Sequence, residues 1–189
     1  ESALALAAEG FAIVAPYRLG GVDAANAFAR ACRRAAKDSR VELVGPLDLG
    51  SERDVMKVSL SEMRRRGVDV RAVVHCAAVF NTDGNATRHG DGSPTARVNF
   101  RNVARLTDRL VDEARRAGRD NARMRVVFVG SFVHQCATAR LLGVDAFRRW
   151  VKTGGEGGRY YNPAIDYMWS KVAISAYAAA KHREWTKSG

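Results

Sequence analysis

Cysteine is scarce in this chain. Cys32, Cys76 and Cys136 make an odd count with no CxxC spacing. That excludes a disulfide framework and a zinc site as organising devices; no metal is expected, and a reducing compartment, the cytoplasm, is favoured. Long apolar runs are missing too. No stretch of about 18 apolar residues occurs, so no membrane-spanning helix is expected. The first residues, ESALALAAEG, lack a basic flank and do not start with Met. They read as the middle of something longer and not as a signal peptide. Internal repeats and clear domain boundaries are also lacking, so 1–189 reads as a single domain.

What is present is a globular composition. Apolar residues make up 47% and charged residues 27% of the 189. The net charge of +11 raises nucleic acid, a membrane surface or an anionic ligand as partners. The arginine clusters are scattered, however, at Arg33–Arg34, Arg64–Arg66, Arg115–Arg116 and Arg148–Arg149. Each falls near the end of a helix-like segment, where a cation suits the helix dipole. No nucleic-acid motif accompanies them, and no nucleic-acid partner is expected.

Short apolar runs alternate with helical patterns. The runs are 11–17, 41–45, 71–80 and 124–131, and their Val and Ile content without polar alternation fits strands buried on both faces. The helical patterns are 22–38, 52–66, 95–117 and 164–185, and residues 2–9 look like a helix closed by Gly10. Alternation of this kind means an α/β fold with a parallel sheet. Two segments break the rhythm. Residues 81–94 are polar and glycine-rich, hence a loop. Residues 134–163 form a long insertion with room for a short helix near 143–151, and its TGGEGG stretch reads as mobile. Both follow strands directly, at the edge of the sheet where α/β proteins bind ligands.

The chemistry concentrates late in the chain. In YMWSK (167–171), Tyr167 and Lys171 are four residues apart and share a helix face. A phenol has a pKa of about 10 in water, and a nearby ammonium favours its ionised form. Such a tyrosine can give and take a proton near neutrality; an ordinary exposed Tyr with a Lys one turn on is the alternative. Ser131 ends the run VVFVGS, where its hydroxyl can hold a carbonyl oxygen or merely cap a turn. Asn99, in RVNFRN, can support a proton relay or be a plain helix residue, although Asn is a mediocre helix former.

In order along the chain, these segments resemble a short-chain dehydrogenase/reductase. ESALALAAEGFAIVAPYR resembles the helix and second strand after that family's glycine-rich loop. LDL (47–49) resembles its adenine-side motif, and VVHCAAV (73–79) stands in the place of NNAG. VN (98–99), VGS (129–131) and YMWSK match the asparagine, serine and YxxSK motifs. The resemblance implies a Rossmann-like doubly wound parallel sheet, incomplete because the first strand and the C-terminal strands are absent. It implies Tyr167 as proton donor and acceptor, Lys171 as its modulator and a holder of the nicotinamide ribose, Ser131 as the carbonyl-positioning group and Asn99 as relay support. Asp48 and Leu49 would face the adenine, and Ala77 and Ala78 would line the cofactor's path. Arg18 ends the second strand with no Asp or Glu in residues 14–20, which suits the 2′-phosphate of NADP better than the 2′-hydroxyl of NAD. The implied partners are a small carbonyl or alcohol substrate and, in a homo-oligomer, further copies of the chain.

His75 and Cys76 depart from NNAG, and HCAA resembles the family's extended branch of epimerases and reductases. The long stretch from Ser131 to Tyr167, with AIVAPYR and the tail AAAKHREWTKSG, is more similar to the retinol-dehydrogenase-like group. His75 reads as a satisfied buried histidine. No glycine-rich loop lies in the sequence, so the chain reads as an internal fragment of a longer enzyme. A catalytically dead scaffold relative is the other reading, and retention of all four catalytic residues argues against it. Without a central strand, the runs 11–17 with 41–45 and 71–80 with 124–131 would pair separately. The chain alone is expected to be inactive and prone to aggregate.

Overall fold

The computed structural model describes residues 2–80, 92–117, 124–132, 143–155 and 162–187. They fall in two compact units, Glu1–Lys57 and Val58–Gly189.

The first unit runs α1 (Ser2–Ala8), β1 (Ile13–Pro16), α2 (Val22–Ala35), β2 (Val41–Val44) and α3 (Glu52–Val55). Gly10, at φ +85°, closes α1 in the left-handed conformation that a side chain would disfavour. β1 and β2 pair in parallel, with Ile13 opposite Val41. Ala7, Ile13, Ala29, Cys32 and Val41 form the core, with Leu4, Phe28 and Leu43 packed on it. Cys32 is fully buried and serves as a small apolar residue.

The second unit runs α4 (Leu60–Arg65), β3 (Ala72–His75), α5 (Pro94–Ala96), a π turn (Arg97–Arg101), α6 (Asn102–Arg116), β4 (Arg125–Phe128), α7 (Val144–Thr153) and α8 (Pro163–Lys187). β3 and β4 pair in parallel, with His75 opposite Phe128. The two separate strand pairs are those the sequence implies. Burial on both faces is not found here. Along β3 and β4 exposed and half-buried residues alternate, and Val74, Val127 and Val129 are exposed. α6 and α8 cover one face alone. The Tyr177 ring meets Phe128 edge-on, and Thr107 bonds His75. Buried Val103, Leu106, Leu110 and Ile174 lie on the inner sides of these two helices.

Three further expectations are corrected. The pattern at 52–66 is two helices, because Ser51 and Ser59 each cap a new start. Arg33–Arg34, Arg64–Arg65 and Arg115–Arg116 lie in last turns, but Arg148–Arg149 stand inside α7. Within TGGEGG, Gly154 and Gly155 are buried at φ +74° and +79°, and a Cβ on Gly154 would collide with the Arg101 guanidinium. Residues 156–161 lie outside the described residues, as does Cys136. Among the described residues no helix is long and apolar enough to cross a membrane.

The start of α4 is held from a distance. Glu113, on α6, accepts from the Ser59 hydroxyl (2.8 Å), the Ser61 N–H (2.7 Å) and the Leu60 N–H (2.9 Å). Burial alone pushes its carboxyl up, but these bonds outweigh it and bring it down to about 2. Glu113→Gln should lower stability at pH 7, because an amide NH2 replaces an acceptor oxygen. The carboxylate's contribution is fully present above its ordinary value of 4.5 and is lost as pH falls from there toward 2. Denaturant midpoints should therefore drop more steeply across that window in the native sequence than in E113Q. Parallel slopes would rule out the cap.

Candidate active site

The last helix begins where the sequence supplies both a cap and a rigid first residue. The Asn162 side chain accepts from the Ala164 and Ile165 N–H groups (2.9 and 3.2 Å), and Pro163 takes the first helical position. Tyr167 and Lys171 follow, one turn apart. Lys171 is buried, at 5% exposure, and its Nζ donates to the Val129 carbonyl at 3.0 Å. The same Nζ lies 5.7 Å from the centre of the Tyr167 ring. Burial pushes the Lys171 ammonium below its ordinary pKa, and the neighbouring Cys76 acts in the opposite direction. The Tyr167 ring meets exposed Phe80 edge-on, 5.4 Å between centres.

Asn99 sits in the π turn, 4% exposed. Its Oδ1 accepts from the Val79 N–H (2.8 Å), and its Nδ2 donates to the Val79 carbonyl (2.9 Å) and to Ser170 Oγ (3.1 Å). Ser170, fully buried, in turn donates to the main-chain carbonyl of Tyr167 (2.7 Å). Ser170 stands inside YMWSK, and the sequence alone assigns it no role. One signal for it exists: a serine inside a helix turns its hydroxyl back onto a carbonyl one turn earlier. The link to Asn99 has no local signature.

β3 and β4 end side by side, and the Val129 N–H donates to the His75 carbonyl at 3.1 Å. Beyond those ends lie Cys76, Ala77 and Ala78 on one strand, all exposed, and half-buried Ser131 on the other. Ser131 stands two residues past the carbonyl that takes Lys171. One edge of the second unit thus carries Tyr167, Lys171, Asn99, Ser131, Ala77 and Ala78. Arg18, Asp48 and Leu49 belong to the first unit. Arg18 is exposed just after β1. Asp48 accepts from the Gly50 N–H (2.8 Å), closing its own turn, and Leu49 lies within that turn.

His75 points away from this edge. Thr107 Oγ1 donates to the Val103 carbonyl (2.9 Å), so in the 2.9 Å contact between His75 Nε2 and Thr107 Oγ1 the histidine is the donor. Its ring stacks on Phe128, 5.1 Å between centres. Burial pushes the His75 pKa down to about 4.

No family model matches the chain, and no curated protein matches it. Solved structures do resemble it. One is the alcohol dehydrogenase from the archaeon Thermococcus sibiricus complexed with 5-hydroxy-NADP: TM-score 0.61, 19% identity, 97% of this chain and 65% of that one. Another is the 3-alpha-hydroxysteroid dehydrogenase from Pseudomonas sp. B-0831 complexed with NADH: TM-score 0.58, 20% identity, 93% of this chain and 68% of that one. At such identities the likeness defines a class by fold alone, a Rossmann-like α/β fold. The chain spans about two thirds of the length of each of these structures.

The buried histidine makes stability depend on pH. The folded protein resists protonation of His75 down to about pH 4, whereas the unfolded chain takes the proton near 6.5. Stability is therefore complete above 6.5 and falls as pH drops from 6.5 to about 4, by at most about 1.4 kcal/mol per pH unit. His75→Gln keeps an N–H donor and does not titrate. Its loss of stability over that interval should be smaller than that of the native sequence in chemical denaturation. Equal losses would place His75 in water.

Proposed function

We propose that this chain carries the catalytic edge of an NADP-dependent oxidoreductase of the short-chain dehydrogenase/reductase type. It would act on a carbonyl or alcohol substrate as a carbonyl reductase or alcohol dehydrogenase, with the retinol-dehydrogenase-like group as the nearest resemblance. The observation that carries the reading is Lys171. A buried ammonium is costly, and this one is held by the Val129 carbonyl beside the Tyr167 ring and two residues before Ser131. On this reading 1–189 is one partial cofactor-binding domain.

The residues fit a nicotinamide cofactor in part. Ala77 and Ala78 present small exposed side chains at the strand ends, and Lys171 supplies a cation. Exposed Arg18, without an ion pair among the described residues, suits a 2′-phosphate. Asp48 and Leu49 are the proposed adenine contacts, although one Asp48 oxygen is already used in its own turn. The glycine-rich cradle for the pyrophosphate is not in these 189 residues. When bound, the cofactor supplies or accepts the hydride. The Tyr167 hydroxyl gives or takes the proton at the substrate oxygen, and the Ser131 hydroxyl donates to that same oxygen. Lys171 stabilises the phenolate and holds the ribose. Asn99 supports the proton relay by holding Val79 and Ser170 in place.

Two substitutions test this in the longer enzyme that the reading implies. Tyr167→Phe should cut turnover by about 10²–10⁴-fold, the usual worth of a positioned proton donor, and leave NADPH binding by fluorescence nearly intact. Turnover equal to the native value would remove Tyr167 from catalysis. Arg18→Ala should weaken NADPH far more than NADH, since the 2′-phosphate alone distinguishes them. Equal losses in the two titrations would mean that Arg18 does not read the 2′ position.

A further inference from the structure

The insertion between Ser131 and Tyr167 has a single helix among its described residues, and that helix is fastened one residue away from Tyr167. Most of α7 faces water, and Trp150, at 6% exposure, is its buried residue. The Trp150 indole N–H donates to Asp166 Oδ1 at 2.6 Å. Asp166 is 3% exposed and stands in the first turn of α8, immediately before Tyr167. A carboxylate suits that position, because the first turn of a helix presents partly positive N–H groups.

Everything around the pair is close-packed. The Trp150 ring lies against Phe100, Phe147 and Trp169, with centres 6.1–6.3 Å apart. Past Trp150 the chain turns through Gly154 and Gly155. The Gly155 N–H returns to the Trp150 carbonyl (2.9 Å), and the Gly154 carbonyl accepts from the Ser93 N–H (2.9 Å). A Cβ on Gly155 would lie 3.0 Å from Asp166 Oδ1 and 2.8 Å from Ser93 Oγ. The turn that ends α7, the residues just before α5 and the start of α8 therefore meet at one junction. First turns of helices fray when nothing holds them. This one is held from outside the helix.

We propose that Trp150 and Asp166 are positioning residues for Tyr167: their hydrogen bond couples the insertion helix to the first turn of α8 and sets where the phenol stands. The catalytic consequence rests on the proposed role of Tyr167; the coupling itself does not. A displacement of about 1 Å at a reacting group costs about a hundredfold in rate, so a pinned first turn matters more here than at an ordinary helix end.

Three variants of the full chain separate the coupling from general packing. Trp150→Phe keeps an aromatic ring and removes the donor. Asp166→Ala removes the acceptor. Asp166→Asn keeps an acceptor oxygen and is the conservative rescue. Amide hydrogen exchange is followed over 166–170 and over 172–180 of α8. The expected result for W150F and D166A is exchange about tenfold faster at 166–170, the scale of one hydrogen bond to a charged group, with 172–180 unchanged and D166N close to native. Unchanged exchange at 166–170, or an equal rise along the whole helix, overturns the proposal. In an enzyme that turns over a carbonyl substrate with NADPH, W150F should also lower kcat about tenfold at an unchanged KM for NADPH. Native kcat in W150F beside an inactive Y167F overturns the positioning role and leaves the catalytic reading standing. Native turnover in Y167F overturns the catalytic reading, and the exchange pattern then decides the coupling.

Discussion

A carboxamide offers two N–H donors and one carbonyl oxygen, and at Asn99 all of them are spent inside the second unit. The oxygen and one N–H take the N–H and carbonyl of Val79, much as a neighbouring strand would. The other N–H goes to Ser170, whose own proton goes to the carbonyl of Tyr167. One side chain thereby joins the exit of β3, the π turn and the helix that bears Tyr167 and Lys171. Without it Val79 would have two main-chain groups to satisfy, and buried unsatisfied groups cost about 1–3 kcal/mol each. π turns are often found at functional sites, and here one carries the residue on which three elements converge.

Around that node, polar contacts fasten α6 and α8 to each other and to the sheet. The Tyr177 hydroxyl donates to Asp108 (2.8 Å), and Lys181 pairs with the same carboxylate (2.9 Å). Burial, with Asp108 beside it, pushes the Tyr177 pKa far above its ordinary value, so it remains a donor. His75 bonds Thr107, and Lys171 bonds Val129. The contacts of His75 and Lys171 satisfy polar groups that packing against the helices would otherwise leave without partners. The opposite face, with Val74, Val127 and Val129, has the composition of a buried strand and the exposure of a surface one. Apolar content alone thus did not foretell burial.

Much of the fold was legible because its signals are local. Strand and helix periods located most of the elements among the described residues. Gly10 marked the end of α1, since a helix stop needs only its immediate neighbours. The Tyr167–Lys171 pairing follows from helix geometry, and the placing of Ser131 at a strand end follows from the run that precedes it. The errors share a cause. The 52–66 pattern breaks at Ser59, where Glu113 captures the new helix start from more than fifty residues away. The 71–80 run stops being a strand at His75, and Val79 bonds to a helix side chain in place of a ladder. Gly154 and Gly155 look mobile in isolation and are buried because Arg101, Ser93 and Asp166 crowd them.

By itself, then, the sequence determined the alternating order of helices and strands, that the strands run parallel, and that a tyrosine and a lysine share one helix face. These depend on periodicity and on residues within a turn of each other. Only the tertiary structure decided that Lys171 is desolvated against Val129, that Ser170 and Asn99 join two helices to a strand exit, and that Trp150 reaches Asp166. Those contacts link residues far apart in the chain. Their partners are chosen by the packing of whole elements, which no local pattern encodes.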